Sequence, residues 1–352
     1  MEVPAPELPY RPPTPRGPTP GIGLVGCGAI TEHHLTAYRA AGYRVVALYD
    51  ARAQAARERQ RAFYPDALVC RSRDELLEHP EVGVVDVATH VDVRPPIVAA
   101  ALRAGKHVLS QKPFADSLDE GRALVALADE LGLALAVNQN GRWAPHFSYA
   151  RAALDAGLLG ELVSADFAVH WDHNWTADTA FDALEHLILH DFAIHWFDIA
   201  IAFAGGRPAR RVFASVTRSP TQRARPPLLA QVAVEFDGAR AAFVFQGDSP
   251  HHARDTTTLC GSAGALHCDG PDLDHQTVTL TTAAGSARPE LAGTWFPGGF
   301  HGTMAELLCA IEDGREPLHS ARGNLDSLAL CFAACASAKT GEPVVPGAVE
   351  RL

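Results

Sequence analysis

Short apolar runs alternate with amphipathic segments over residues 21–137 of the chain. The first run is Gly21–Val25 and the last is Leu133–Val137, and segments with helical spacing separate most of the runs between them. Strands that alternate with helices of about 10–15 residues are typical of a parallel, doubly wound sheet. The pattern therefore predicts an N-terminal α/β domain of the Rossmann type.

The pattern changes after residue 140, where β-rich segments follow one another without intervening helices. Asp237-Gly238, between two such segments, strongly indicates a hairpin. The predicted elements are a helix near 145–156, the strand Leu162–Trp171, a long helix near 183–204, β-segments at 208–217, 230–236, 239–246, 254–260 and 276–282, and helices near 301–313 and 321–339. They predict an α+β domain whose large open-faced sheet is mostly antiparallel.

The first 20 residues contain eight prolines and few apolar side chains. Such a segment cannot form a core alone, so we expect polyproline-like or disordered conformations, or a contact with a partner subunit. The predicted organisation is a Pro-rich arm at 1–20, a nucleotide-binding domain at 21–140 and an α+β substrate-binding and oligomerisation domain at 141–352.

Composition and charge narrow the class of protein. The 352 residues fit two domains, and 30 Lys and Arg against 41 Asp and Glu give a net charge of −11. This charge argues against nucleic acids and anionic membranes as partners. The seven cysteines form no CxxC pair, and neither a signal peptide nor an apolar stretch of about 20 residues occurs. We therefore expect a cytoplasmic protein.

A glycine-rich turn follows the first predicted strand and precedes the first helix. Glycines at 26 and 28 allow a tight turn and close approach of a pyrophosphate, which would lie on the helix N-terminus. Thr31 replaces the usual third glycine or alanine and is expected to loosen the packing slightly. Gly26, Gly28, Ala29 and Ile30 are the predicted cofactor contacts of this turn.

The second predicted strand ends at Asp50, 22 residues after Gly28. A carboxylate at this place accepts the ribose 2′-hydroxyl of a dinucleotide and repels a 2′-phosphate. Asp50 therefore favours NAD, although nearby Arg52 leaves NADP possible. The alternative is that Asp50 is a solvated turn residue.

Gln111-Lys112-Pro113 follows the fifth predicted strand directly. Ligands of open α/β sheets bind beyond the carboxyl ends of the strands, so Lys112 is expected to face the cofactor crevice. Otherwise it is one more surface lysine.

Titratable residues spaced by four occur in the predicted long helix. Asp191 and His195 are spaced by four, which places them on one helix face, and a carboxylate beside an imidazole suits a general base. His186 and His190 have the same spacing, which raises a zinc site as an alternative. HExxH is absent, however, and no third ligand is identifiable, so no metal is predicted.

Polar and aromatic residues near two predicted strand ends are candidate substrate contacts. Asn140, Arg142 and Trp143 follow the last strand of the first domain, and His173 and Trp175 precede the long helix. Aromatic faces pack against sugar C–H groups while polar groups bind hydroxyls. The alternative for the tryptophans is simple packing.

From Gly21 onward the chain resembles the glucose–fructose oxidoreductase/inositol dehydrogenase/MocA (Gfo/Idh/MocA) family of oxidoreductases. The matching motifs are Gly26-Cys-Gly28, Asp50, Ala88-Thr89-His90, Ala104-Gly105-Lys106-His107-Val108, Gln111-Lys112-Pro113, Asp191-x-Ala193-x-His195-x-x-Asp198 and Ser337-Ala-Lys-Thr-Gly341. The family usually has Glu where this chain has Gln111, and Gly where it has Ala193.

The resemblance implies oxidation of a sugar, inositol or related polyol hydroxyl, with hydride transfer to NAD or NADP. His195 would be the general base, Asp191 would assist it, and Lys112 would bind the substrate hydroxyl and stabilise the developing oxyanion. Thr89, His90, Gln111 and Lys112 would contribute to the cofactor site. An antiparallel sheet with one uncovered face also favours a homodimer or homotetramer.

Two other functions are also compatible with these sequence motifs. A non-enzymatic NAD(P)-sensing regulator would retain the fold and the glycine-rich turn, because fold does not determine function. It would not need Lys112, Asp191 and His195 together. A zinc-dependent hydrolase would use the histidine cluster instead.

Overall fold

Nine α-helices and fourteen strands form in the structure, a computed structural model that describes all residues from 1 to 352. The strands are β1 (Gly21–Val25), β2 (Val45–Tyr49), β3 (Leu68–Val69), β4 (Val82–Val87), β5 (His107–Ser110), β6 (Leu135–Val137), β7 (Leu162–His170), β8 (Ala209–Thr217), β9 (Leu229–Phe236), β10 (Ala239–Gln246), β11 (Arg254–Gly261), β12 (Gly264–Gly270), β13 (Thr277–Thr282) and β14 (Gly285–Ala287). The helices are α1 (Thr31–Ala40), α2 (Ala53–Phe63), α3 (Arg73–Leu77), α4 (Arg94–Arg103), α5 (Leu118–Leu131), α6 (Pro145–Asp155), α7 (Ile194–Phe203), α8 (Gly298–Asp313) and α9 (Ala321–Thr340). None of these helices is long and apolar enough to cross a membrane.

The chain divides into two compact units, and neither is continuous in sequence. The parallel-sheet unit comprises residues 12–143 and 296–325, and the eight-stranded unit comprises residues 1–11, 144–295 and 326–352. The predicted division at residue 140 differs, because it assigns everything after 140 to one domain. Physically, α8 packs Phe300, Met304 and Leu308 into the same apolar cluster as Leu24 and Leu35 of the first unit.

The parallel-sheet unit contains six parallel strands in the order β3-β2-β1-β4-β5-β6. Its central strands β1 and β4 are almost entirely buried, as expected where helices cover both faces of a parallel sheet. Helix α5 shows why these segments become helices: Ser117 accepts the Glu120 amide at its start, and Gly132 ends it at φ +66°. The predicted doubly wound α/β domain is confirmed.

The eight-stranded unit contains one sheet in the order β14-β13-β12-β11-β7-β10-β9-β8. Only β7 and β10 run parallel, and all other neighbours are antiparallel. Alternating burial along β9 shows that one face is packed and the other open. The predicted mostly antiparallel sheet is confirmed, but two strands that begin with glycine were missed: β12, which also ends with glycine, and β14, which has only three residues.

The prediction of one long helix over 183–204 is wrong. Residues Ala180–Ala183 form a 3-10 turn, Ile188–Phe192 form a π-helical turn, and only Ile194–Phe203 are α-helical. The Ala193 amide reaches back five residues to the Ile188 carbonyl at 2.9 Å. The apolar spacing is preserved through this wider turn, so the sequence pattern did not reveal it.

The beginning of the Pro-rich arm lies on the eight-stranded unit, so of the expected conformations the structure shows an ordered arm rather than a disordered one. Ser286 of β14 pairs with the arm: its amide donates to the Met1 carbonyl, and its carbonyl accepts the Val3 amide, both at 2.9 Å. Tyr10 packs edge-on against Tyr149, and its hydroxyl accepts the Ala292 amide. The beginning of the arm is thus held mainly by contacts to the rest of the unit, with one internal backbone bond from the Tyr10 amide to the Leu8 carbonyl.

Each edge strand of the large sheet pairs at one position with a segment from the beginning or the end of the eight-stranded unit. Besides the Met1–Val3 contact with β14, Val344 exchanges two backbone hydrogen bonds of 2.8 Å with Val212 of β8. Unpaired edge strands invite intermolecular pairing, and covering them prevents it.

We expect Tyr10→Ala to lower the free energy of unfolding by about 1–2 kcal/mol, because a ring contact and a hydrogen bond are lost. Urea denaturation followed by tryptophan fluorescence measures the change. Glu7→Ala, at an exposed position of the same arm, is the control. Equal stability of the two variants would contradict the arm contact.

Candidate active site

The glycine-rich turn lies at the carboxyl end of β1, close to the end of β4. Gly26 has φ +91°, and a Cβ there would lie 2.7 Å from the Ala88 carbonyl oxygen, so only glycine fits. A Cβ on Gly28 would meet no atom within 4 Å. The backbone at Gly28 therefore borders open space next to the beginning of α1, where Ala29 and Ile30 lead into the helix.

Asp50 lies directly beside this turn, one residue after β2. Its Oδ2 accepts the Cys27 amide at 2.7 Å, and its Oδ1 accepts the Arg52 amide at 2.8 Å. A carboxylate has further lone pairs, so the bonded Asp50 can still accept ribose hydroxyls. The Arg52 guanidinium is 3.7 Å away and mostly exposed.

Two further side chains support the turn. The Thr31 hydroxyl donates to the Gly28 carbonyl at 2.6 Å, so the residue that replaces the usual third glycine or alanine stabilises the turn. Arg59 of α2 donates to the same carbonyl at 3.2 Å and to Glu32 at 3.1 Å. Sequence reasoning missed Arg59, because α2 carries three arginines and nothing in their spacing shows which one lies beside the turn.

The segment after β4 carries Thr89 and His90. The Thr89 hydroxyl oxygen is buried and has no hydrogen-bond partner, whereas His90 is exposed. Arg94, at the first position of α4, is 3% exposed and donates to the Thr89 carbonyl at 3.1 Å and to the Gln111 carbonyl at 2.6 Å. Arg94 also bonds the Pro113 carbonyl. This buried cation, which sequence reasoning missed, ties together two segments of the predicted site.

Gln111 holds the Lys112 turn from within. Its Oε1 accepts the Lys112 amide at 2.8 Å, and its Nε2 lies 3.0 Å from His34 Nε2. Gln111 was expected among the cofactor contacts, but both ends of its amide are engaged inside the unit. Lys112 itself is partly exposed.

These residues fit a dinucleotide. The ends of neighbouring parallel strands bring together an open glycine turn, the Asp50 carboxylate and the unpartnered Thr89 hydroxyl. A dinucleotide binds beyond the carboxyl ends of such strands, with its pyrophosphate at the helix N-terminus.

The segment after β6 is largely internal. Trp143 is 4% exposed, and a Cβ on Gly302 of α8 would overlap its ring, so Trp143 packs within the parallel-sheet unit. Arg142 donates to the Leu318 carbonyl at 2.6 Å. Asn140 is buried against Gly299 of α8. Packing, rather than ligand contact, is what the structure shows for Trp143.

In the eight-stranded unit, His173 and Trp175 differ in environment. His173 is 4% exposed, with its ring 4.1 Å from that of Phe192. Burial lowers the pKa of His173 to about 4, against the opposing effect of the nearby Asp172 and Asp191 carboxylates. Trp175 is 53% exposed and touches only the edges of other aromatic rings. His173 is therefore a neutral imidazole, and Trp175 offers an open aromatic face.

Asp191 and His195 lie on successive turns, Asp191 in the π-helical turn and His195 in α7. The His195 ring is 5.7 Å from Trp295 in an edge-on contact, and its Nδ1 is buried. Single π-helical turns inside helices occur frequently at functional sites. The predicted pair thus belongs to an aromatic environment within the eight-stranded unit.

Asn174 anchors the segment that carries His173 and Trp175. Its Nδ2 donates to Asp172 at 2.9 Å and to Asp248 at 2.6 Å, and its Oδ1 accepts the Arg223 amide at 2.6 Å. Asn174 is 6% exposed. Sequence reasoning could not find this cluster, because Asn174 and its partner Asp248 lie 74 residues apart.

The buried face of β11 presents oxygen atoms without hydrogen-bond partners. They belong to the Asp255 carboxyl and the Thr257 hydroxyl, both 1% exposed. Burial, with the nearby Asp272, raises the pKa of Asp255 to about 8. A protonated Asp255 can donate a hydrogen bond at neutral pH.

No group of three His, Cys, Asp or Glu side chains is arranged to hold a metal ion anywhere in the chain. His186 and His190 keep the predicted helical spacing, since the His190 amide donates to the His186 carbonyl at 2.8 Å, but no third ligand completes a site. Nothing in the structure supports the zinc alternative.

Two family models match the chain. The model of an oxidoreductase family with an NAD-binding Rossmann fold matches residues 21–139, and the model of the GFO/IDH/MocA C-terminal domain matches residues 147–267. Together they cover more than half of the chain.

Three curated relatives show how far the similarity extends. D-apiose dehydrogenase of Paraburkholderia graminis is 28% identical over 350 residues, which covers 91% of this chain and 88% of the relative. Inositol 2-dehydrogenase of Gluconacetobacter diazotrophicus is 32% identical over 148 residues, 41% of this chain and 44% of the relative. An oxidoreductase of Schizosaccharomyces pombe is 36% identical over 130 residues, so this match spans 37% of the chain but only 35% of the relative.

Solved structures share the fold. An oxidoreductase from Agrobacterium radiobacter, in complex with NAD+, L-tartaric acid and magnesium, has a TM-score of 0.83 at 21% identity and covers 94% of this chain and 99% of that one. Aldose-aldose oxidoreductase from Caulobacter crescentus, complexed with glycerol, has a TM-score of 0.77 at 20% identity over 93% and 100% of the two chains.

We expect Asn174→Ala to lower the free energy of unfolding by about 1–3 kcal/mol, because it removes the side-chain bonds to the Arg223 amide, Asp172 and Asp248. Urea denaturation measures the loss. Gln231→Ala, on the exposed face of β9, is the control. A stability equal to that of the control would show that the cluster is not an anchor.

Proposed function

Because the chain belongs to the Gfo/Idh/MocA family of NAD-binding oxidoreductases, we propose that it transfers a hydride between a sugar, inositol or related polyol hydroxyl and NAD. The observation that carries this proposal is the hydrogen-bonded arrangement of Asp50 on the glycine-rich turn. That arrangement fits a dinucleotide, and it occurs in one chain with Lys112, Asp191 and His195.

When bound, the nicotinamide supplies the hydride acceptor at C4. The glycine-rich turn and the beginning of α1 would hold the pyrophosphate, with Arg59 adding positive charge beside Gly28. Asp50 would bind the adenosine ribose and favour NAD over NADP. The Thr89 hydroxyl supplies a hydrogen-bonding group that no other residue uses.

Alcohol oxidation breaks a C–H and an O–H bond, so the protein must remove a proton. His195 would accept it at Nε2, because its Nδ1 is buried. Asp191 would orient the imidazole and stabilise its protonated form. Lys112 would donate a hydrogen bond to the substrate oxygen and stabilise its developing negative charge.

A hydroxyl-rich substrate suits the polar groups of the eight-stranded unit. His173, being neutral, can both donate and accept a hydrogen bond, and the Trp175 face can pack on sugar C–H groups. Relatives named for apiose and inositol support the same substrate class. Asn140 and Arg142 remain proposed substrate contacts.

Location and assembly belong to the same proposal. All seven cysteines are free thiols, which fits a reducing cytoplasmic environment. The open face of the large sheet exposes Val163 and Phe213, so we propose a homodimer or homotetramer through this face.

We expect His195→Ala to lower kcat at least about 100-fold while NAD affinity stays within about twofold, because only proton transfer is lost. Absorbance of reduced nicotinamide, in a screen of sugars and inositols, measures turnover, and calorimetry measures NAD binding. His186→Ala, in the segment before the π-helical turn, is the control. Undiminished turnover of His195→Ala would refute the assigned role, and NAD binding without turnover of any polyol by the wild type would favour the regulator instead.

We expect Asp50→Ser to raise the ratio of NADP to NAD efficiency at least about tenfold, because it removes the charge that repels a 2′-phosphate. The ratio of kcat/KM values for the two cofactors measures this change. Asp66→Ser, at an exposed position after α2, should leave the ratio unaltered. An unaltered ratio in both variants would place the ribose elsewhere.

A further inference from the structure

A buried histidine, His34, lies in the first helix of the parallel-sheet unit and takes no part in the proposed reaction. It is 0% exposed, and so is Asp86 of β4. His34 Nδ1 lies 2.7 Å from Asp86 Oδ2, and the Tyr38 hydroxyl donates to the same oxygen at 2.7 Å. Asp86 thus receives two hydrogen bonds from α1.

The other ring nitrogen of His34 faces the Lys112 turn. Gln111 Nε2 lies 3.0 Å from His34 Nε2, and Asn138 Nδ2 lies 3.3 Å from it. The Asn138 Oδ1 in turn accepts the Thr303 hydroxyl of α8 at 3.1 Å. One imidazole therefore joins α1, β4 and the segments that follow β5 and β6.

The hydrogen bonds determine which nitrogen of His34 carries the proton. The Lys112 amide can only donate, so the Gln111 oxygen faces Lys112 and the Gln111 NH2 group faces His34. His34 Nε2 must then accept, which leaves the proton on Nδ1, where it is donated to Asp86. His34 is consequently a neutral imidazole with a single tautomer.

We propose that His34 is a positioning residue for Lys112, acting through Gln111, and that it links the helix of the cofactor site to the Lys112 turn. The role in turnover rests on the proposed function, whereas the tautomer and the link do not. The oxygen of the Gln111 amide bonds the Lys112 amide, and its nitrogen bonds His34, so the Gln111 side chain connects the two residues directly.

Loss of the His34 side chain would change the position of Lys112 rather than its charge. Without His34 the buried Gln111 NH2 loses its acceptor, so the amide is free to rotate and to release Lys112. Arg94 still holds the neighbouring carbonyls, so the turn is displaced rather than unfolded. A displacement of about 1 Å in a reacting group costs up to about 100-fold in rate.

The first experiment measures the tautomer by 15N NMR of the histidine-labelled protein, with His34 assigned by its absence from His34→Gln. We expect the Nδ1–H form at neutral pH. In Asp86→Asn/Gln111→Glu the carboxylate lies beside His34 Nε2 instead of Nδ1. The proton of the imidazole should therefore move to Nε2, from which it can be donated to the new carboxylate. An Nε2–H form or an imidazolium in the wild type would overturn the hydrogen-bond assignment.

The second experiment measures the link. Gln111→Met keeps the side-chain volume but removes both hydrogen bonds. We expect kcat to fall about 10- to 100-fold with NAD affinity within about twofold, and hydrogen exchange at the Lys112 amide to accelerate at least about tenfold. The exchanged-charge variant Asp86→Asn/Gln111→Glu keeps the link and should keep slow exchange.

Tyr38→Phe is the matched control. It removes a buried hydrogen bond to Asp86 from the same helix but leaves the bond between His34 and Gln111 in place. A merely structural role predicts that Tyr38→Phe and Gln111→Met lose stability and kcat together, which would refute the proposal. We expect Tyr38→Phe to lose stability while its kcat and Lys112 exchange stay within about twofold of the wild type.

The exchange and NMR measurements separate this proposal from the proposed function. If the wild type oxidises no polyol, the proposed function fails, and accelerated Lys112 exchange in Gln111→Met still supports the link. If turnover is present and Gln111→Met alters neither kcat nor exchange, the link is refuted and the function stands.

Discussion

The site depends on the need of buried polar groups at the carboxyl end of the parallel sheet for hydrogen-bond partners. The chain here carries Asp86, His34, Gln111 and Arg94, and each would be costly to bury alone. Backbone carbonyls and amides satisfy much of this need, and in doing so they hold the segments after β4 and β5 in place. Rigid placement of these segments precedes any chemistry that they perform.

Residues 296–325, which rejoin the parallel-sheet unit after the large sheet, also help to hold these segments in place. Helix α8 contributes Thr303 to the polar cluster around His34 and Phe300 to the apolar cluster beside α1. Trp143 requires Gly302 of this helix, since any side chain there would overlap the ring. Residues some 160 positions apart in sequence thereby form one support for the turn after β6.

In the eight-stranded unit, placement is achieved by a different device. A π-helical turn sets Asp191 apart from the regular helix that carries His195, and Asn174 joins three separate segments beside His173. The lowered pKa of His173 follows from burial among aromatic rings, despite two nearby carboxylates. The unit therefore offers neutral hydrogen-bonding groups and aromatic faces together.

Local periodicity was enough to predict the two fold classes, and glycines required by backbone geometry were enough to predict the turn after β1. Gly26 and Asp50 could be located without a structure, since their spacing along a βαβ unit is a local property. The contacts of His34, Arg59, Arg94 and Asn174 appear only in the folded chain. The same is true of the packing of α8 in the parallel-sheet unit. Their partners lie far away in sequence, and hydrogen bonds between distant segments produce no periodic pattern of residue types along the chain. The π-helical turn and the contacts of the Pro-rich arm were also not predictable from the sequence pattern, because tertiary packing rather than local preference determines both.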